Sequence, residues 1–132
     1  MKTAVIFWSG TGNTEAMAKA LAEGAGVEAV NVADFTGSIS DYEALAFGCP
    51  AMGDEQLEEA EFEPFFARIE NELSGKRVAL FGSSDWGTGD WMETWATDAR
   101  DAGVNVVATV IANLEPDDEA AEALNDAAAK LA

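Results

Sequence analysis

Five short apolar runs punctuate the chain, at residues 3–8, 27–32, 44–49, 77–82 and 105–111. They are rich in Val, Ala, Phe and Ile. Several lack the apolar–polar alternation of a half-solvated strand, as strands buried on both faces do. Helical periodicity lies between most of them. Phe62, Phe65, Phe66, Ile69 and Leu73 recur at i, i+3, i+4, i+7 and i+11. Trp91, Met92, Trp95, Ala96 and Ala99 form a second stripe, and Leu124, Ala127, Ala128 and Leu131 a third. Met17, Ala18, Leu21 and Ala22 mark a helix immediately after a polar turn at 9–14. Residues 33–43 carry a weaker pattern, that of a loop with at most a short helix. Strands alternating with helices predict an α/β fold with a parallel, doubly wound sheet and right-handed crossovers. No linker, repeat or low-complexity tract divides the 132 residues, so one domain over 1–132 is expected. Ligands of such sheets sit beyond the carboxyl ends of the strands, where the strand order reverses. The loops after the first, third, fourth and fifth strands are therefore the ones to inspect.

Composition narrows the chemistry. Seven basic residues stand against 25 acidic ones, a formal charge of −18, which makes nucleic acid and anionic membrane surfaces poor partners. The imbalance fits solubility in a salty medium and fits steering towards basic proteins equally well. A single cysteine, Cys49, excludes an internal disulfide, and the absence of histidine removes the usual zinc sites, Cys–His pairs and Ser-His-Asp triads. No metal site and no catalytic residue is expected, so the chemistry must come mainly from a bound cofactor. The opening MKTAVIFWSGTG has too short an apolar run for a signal peptide or membrane span, and a cytoplasmic location is the expectation.

The turn Ser9-Gly10-Thr11-Gly12-Asn13-Thr14 joins the first strand to a helix. It is not a P-loop, which needs Lys and then Ser or Thr where this chain has Asn13-Thr14-Glu15, nor a dinucleotide fingerprint, whose third glycine is replaced by Glu15. What remains is a set of neutral donors, three hydroxyls, the Asn13 amide and backbone N–H groups, around one terminal phosphate at a helix N-terminus. Glycines at 10 and 12 allow close approach. Helix capping by Asn13 or Thr14 is the simpler alternative, and it accounts for one residue of the six.

Pro50-Ala51-Met52-Gly53-Asp54-Glu55 leaves the third strand through a tight turn. Met52 suits a flat aromatic ligand, Gly53 permits a positive-φ state so that the Gly53–Asp54 peptide can take two orientations, and Glu55 can accept a bond from a ring N–H. Taken by itself this loop reads as an ordinary turn beside a solvated acidic run. The stretch Ser83-Ser84-Asp85-Trp86-Gly87 after the fourth strand shifts that reading. Ser83 brings a hydroxyl towards the proposed phosphate, and Trp86 stands in a loop with no helical stripe to absorb it. Trp91 and Trp95 belong to the core, and Trp8 packs at its strand end. A thioether face, an indole face, a carboxylate edge and a phosphate pocket together have the shape of flavin mononucleotide.

WSGTGNTE (8–15), AMGDE (51–55) and LFGS..WG.G.WM (80–92), with EFEPF (61–65) and EPD (115–117), resemble the short-chain flavodoxins over essentially the whole chain. The resemblance implies a three-layer α/β/α fold with a five-stranded parallel sheet of order 2-1-3-4-5. It implies one non-covalent FMN per chain and a low-potential electron carrier rather than an enzyme. By position, Ser9 to Thr14 resemble the family's phosphate loop, with Ser83 a further phosphate contact. Met52 and Trp86 resemble the residues enclosing the isoalloxazine, and Glu55 the partner of flavin N3. The Gly53–Asp54 peptide resembles the one that turns its carbonyl towards flavin N5 on reduction. Pro50 departs from the serine common in close relatives, removing a hydroxyl and a backbone N–H. The loop 83–90 is more acidic than usual, with Asp85 and Asp90, and the rim at 112–118 matches least. The strand count leaves no room for the insertion of the long-chain branch.

The implied mechanism cycles the flavin through oxidised, semiquinone and hydroquinone states. The Gly53 carbonyl favours the middle state, and the charges of Asp54, Glu55, Asp85 and Asp90 disfavour the last. The implied partners are redox proteins with basic docking surfaces, ferredoxin- or flavodoxin-dependent reductases and oxidoreductases, met by a monomer. The competing readings are an FMN-dependent quinone or nitro reductase, a flavodoxin-like activator of one dedicated enzyme, and a phospho-receiver domain. The last needs an acidic cluster where this chain has Trp8-Ser9.

Overall fold

The computed structural model describes residues 2–10, 12–52, 57–84, 89–113 and 116–132. Five strands, β1 (Thr3–Phe7), β2 (Ala29–Asn31), β3 (Ala44–Gly48), β4 (Arg77–Ser84) and β5 (Asn105–Asn113), form one parallel sheet in the order β2-β1-β3-β4-β5. Four helices connect them: α1 (Asn13–Ala25), α2 (Phe62–Ile69), α3 (Asp90–Asp101) and α4 (Asp118–Leu131). The doubly wound sheet and its strand order are those expected.

Alternate residues of each central strand enter two separate cores. Ile6, Leu45, Phe47, Val78 and Leu80 pack against Phe62, Phe66 and Ile69 of α2 and Trp91 and Trp95 of α3. Val5, Phe7, Ala44, Ala46, Ala79 and Phe81 pack on the other face against Met17 and Leu21 of α1 and Leu124 and Leu131 of α4. This double burial is why the strands read as continuous apolar runs. The Phe62 and Phe66 rings each meet the Trp95 indole edge to face, at 5.4 and 5.5 Å.

Element ends differ from the periodicity in a few places. β2 keeps only three residues, because the Val27 N–H donates to the Ala22 carbonyl closing α1 while the Asn31 side chain accepts from the Ala33 N–H and opens a 3-10 turn. Residues 33–43 hold that turn (Val32–Asp34) and a second (Ile39–Asp41). α2 stops at Ile69 and tightens into a 3-10 turn over Glu70–Glu72, leaving Leu73 buried beyond the α-helix proper. β4 and β5 run two residues past their apolar stretches, Ser83 pairing with Ala112 and Ser84 with Asn113. Among the described residues no helix is long and apolar enough to cross a membrane.

Candidate functional site

β1 lies between β2 and β3, so the strand order reverses there and a crevice opens at the carboxyl ends of β1 and β3. Its floor is sewn together by the backbone. The Trp8 N–H donates to the Gly48 carbonyl, the Cys49 N–H to Phe81 and the Ala51 N–H to Ser83, at 2.9–3.0 Å. Gly82 is required at this floor, since a Cβ there would overlap the Cys49 carbonyl oxygen. The Trp91 indole N–H donates to that same carbonyl at 3.3 Å, tying α3 to the end of β3.

Above the floor stands the hydroxyl turn. Gly12, at φ +97°, is the N-cap of α1, and among the described residues no side chain caps the helix. Asn13 and Thr14 lie inside the first turn, which removes the capping alternative for either. The first-turn N–H groups of α1 therefore face outwards with the positive end of the helix dipole. Ser9 Oγ accepts from the Gly12 N–H at 3.0 Å and keeps its own O–H. Thr14 and Ser83, 1% and 3% exposed, join α1 to β4 through hydroxyls 2.9 Å apart. Thr14 Oγ1 also accepts from the Ser83 N–H at 3.3 Å. One hydroxyl of such a pair donates to the other, so one O–H remains for an outside acceptor. These are neutral donors at a positive helix end, a set that suits a phosphate without a nearby cation.

The structure therefore brings together Ser9, Gly10, Gly12, Asn13, Thr14 and Ser83. Gly10 lies beneath Trp8, whose ring would sit 3.1 Å from a Cβ at that position. Pro50 and Ala51 are half-buried at the end of β3, and Met52 is 37% exposed, one of the two large apolar side chains exposed among the described residues. Ser84 is buried at the last position of β4 rather than in an open loop. Thr11, Gly53, Asp54, Glu55, Asp85, Trp86 and Gly87 lie outside the described residues. Among the described residues no group of acids and Cys49 could hold a metal ion.

Glu58 has a role that the sequence reading missed. It is buried, and its carboxylate accepts from the N–H groups of Ala60, Glu61 and Phe62, each at 2.8 Å, at the start of α2. Burial acts to raise its pKa, but the three N–H donors outweigh it and hold the carboxyl below the usual glutamate value. The Glu58 N–H donates to Cys49 Sγ at 3.2 Å, so residues 49 and 58 close the segment between them. Burial pushes the Cys49 thiol up to about 12, against the Glu58 N–H bond and with help from the charges of Glu58 and Glu63. Cys49 is a structural thiol. The available signal for Glu58 was an acid shortly before an apolar helical stripe.

The flavodoxin family model matches residues 5–129. The flavodoxin of Megasphaera elsdenii is 44% identical over 133 residues, covering 96% of this chain and 97% of that protein. That of Clostridium beijerinckii is 46% identical over 121 residues, covering 86% and 88%. The solution structure of two-electron reduced Megasphaera elsdenii flavodoxin superposes with a TM-score of 0.89 at 40% identity, over 98% of this chain and 99% of that one. A parallel sheet of order 2-1-3-4-5 and homology along nearly the whole chain agree: this chain belongs to the flavodoxin family, FMN-binding electron-transfer proteins rather than enzymes.

Proposed function

We propose that the chain is a single domain that binds one FMN non-covalently and passes single electrons at low potential between redox proteins, as a cytoplasmic monomer. The observation that carries this reading is the buried Thr14–Ser83 hydroxyl pair, set under an uncapped helix N-terminus at the carboxyl ends of the strands. FMN supplies the one-electron chemistry when bound. The chain's own part is to hold and tune it. Ser9, Gly10, Gly12, Asn13, Thr14 and Ser83 would hold the phosphate, joined by Thr11 from the family resemblance. Met52 would cover one face of the ring, and by the same resemblance Trp86 the other, with Gly53, Asp54 and Glu55 along its edge and Pro50, Ala51, Ser84, Asp85 and Gly87 lining the approach. Neutral phosphate donors leave the acidic surroundings of the ring uncompensated, which disfavours adding a second negative charge.

The test is direct. The purified protein should release FMN, not FAD or riboflavin, on denaturation. Potentiometric titration should resolve two one-electron steps, the second at lower potential. A colourless protein, a different flavin or a single two-electron step refutes the reading.

A further inference from the structure

α2 and α3 cover the same face of the sheet, and between them runs a groove of about 370 Å3. One wall is Glu63, Phe66, Ala67 and Glu70, a run at i, i+3, i+4 and i+7 along α2 and the turn that follows it. The facing wall repeats the spacing on α3 with Trp91, Thr94, Trp95 and Asp98. Each run carries one short exposed residue, Ala67 on α2 and Thr94 on α3. The floor is the buried Phe66–Trp95 pair. Carboxylates stand on both rims.

Those carboxylates lack an internal partner. Lys19 pairs with Glu15 on α1, and among the described residues no cation pairs with Glu63, Glu70 or Asp98. Burial raises the Glu70 carboxyl above its ordinary range, and the facing charge of Asp98 raises it further. Two like charges thus face one another across an apolar slot, an arrangement that favours entry of a cation. One end of the slot reaches Leu57 and Trp91, and Trp91 is bonded to the end of β3, at the edge of the candidate cofactor site.

The geometry points to this groove as a docking slot for an arginine side chain presented by a redox partner protein. A guanidinium is planar, weakly hydrated and forked, so it can bond carboxylates from both walls while its stem lies on the apolar floor. An ammonium is a compact, strongly hydrated charge and fits such a slot less well. The identity of the partner rests on the carrier reading; the preference of the groove for arginine does not.

The Trp95 indole N–H is buried with no acceptor, so its NMR signal reports on the groove without competing bonds. Titrating FMN-loaded, 15N-labelled protein with N-acetyl-arginine amide should shift that signal saturably. N-acetyl-norleucine amide should not. Ala67→Leu, which fills the slot and leaves every charge in place, should abolish the shift, and Asp98→Asn should weaken it. Electron exchange with a ferredoxin–NADP+ reductase should fall about fivefold in both variants, the upper value for losing one exposed charge pair, with both potentials unchanged. Glu23→Gln on α1, across the sheet, should leave that rate within about twofold. An arginine shift that persists in Ala67→Leu, that norleucine reproduces, or that never saturates overturns the slot. So does an equal rate loss in Glu23→Gln. A parent protein that exchanges no electrons refutes the carrier reading instead, and the arginine shift then decides the groove by itself.

Discussion

Thr14 shows how one side chain can serve both fold and site. A β-branched residue is a poor choice for the first turn of a helix on propensity grounds. Its methyl and hydroxyl are buried, and the hydroxyl bridges α1 to β4 through Ser83. Thr14→Val keeps the shape and removes the bridge. It leaves the Ser83 hydroxyl without its Thr14 partner, so the FMN-free protein should lose about 1 kcal/mol. If the pair also contacts phosphate, FMN affinity should fall roughly tenfold, about the value of one such hydrogen bond. Calorimetric melting and a flavin-fluorescence titration separate the two effects. Reduced stability with undiminished affinity would assign the pair to the fold only. At this scale the sequence showed the hydroxyl turn but could not decide between capping and ligand binding. That decision needed the dihedral at Gly12, which makes the glycine itself the cap. Glu58 was hidden for a related reason. In sequence it is one acid in a run of acids, and only its three backbone partners distinguish it.

Elements were legible where burial is two-sided and obscure where hydrogen bonds decide. β1, β3 and β4 appear as apolar runs because both of their faces are covered. β2 is shorter than its apolar run, because Val27 and Val32 are apolar yet one closes a helix and the other opens a 3-10 turn. β4 and β5 outrun their apolar stretches, because Ser83, Ser84 and Asn113 are polar yet remain in the ladder. α2 depends on a device invisible to periodicity. It is an eight-residue helix, entered through the N–H groups of Ala60, Glu61 and Phe62, all three gathered on the Glu58 carboxylate. Glu58→Gln keeps the size and loses the charge, and should destabilise the protein by about 1–2 kcal/mol at neutral pH. The sign with pH follows from the depressed folded pKa. The carboxylate's contribution is complete above the ordinary glutamate value of 4.5 and disappears as pH falls through the lower folded value. The stability gap between parent and variant should therefore be constant from pH 7 to about 5 and close below 4.5. Urea unfolding at stepped pH measures it, and a gap that persists into the acid range would show that the amide's shape, not the lost charge, is responsible.

The charge of −18 belongs to the whole molecule, and it bears on both stability and encounter. With seven basic residues against 25 acidic ones, most carboxylates are uncompensated by neighbours. Self-repulsion then opposes the compact state, and salt screens it over a Debye length of about 8 Å at physiological strength. Raising sodium chloride from 10 to 500 mM should increase the melting temperature of the FMN-loaded protein by several degrees, since about 1 kcal/mol moves a domain of this size by roughly 3–6 °C. Salt adaptation and partner docking both predict that rise, which is why composition could not separate them. They differ in how encounter responds. A surface that is acidic only for solubility gives an association rate that depends on total charge wherever the charge sits. A docking surface concentrates the dependence, so that neutralising Asp98 flattens the salt dependence of the exchange rate more than neutralising Glu23 does, at the same net charge. Stopped-flow rates across that salt range, compared with melting curves on the same samples, decide the matter. Equal slopes for the two variants would leave the acidity as a bulk property of the surface. Unequal slopes with parallel melting curves would place its function at the groove between α2 and α3.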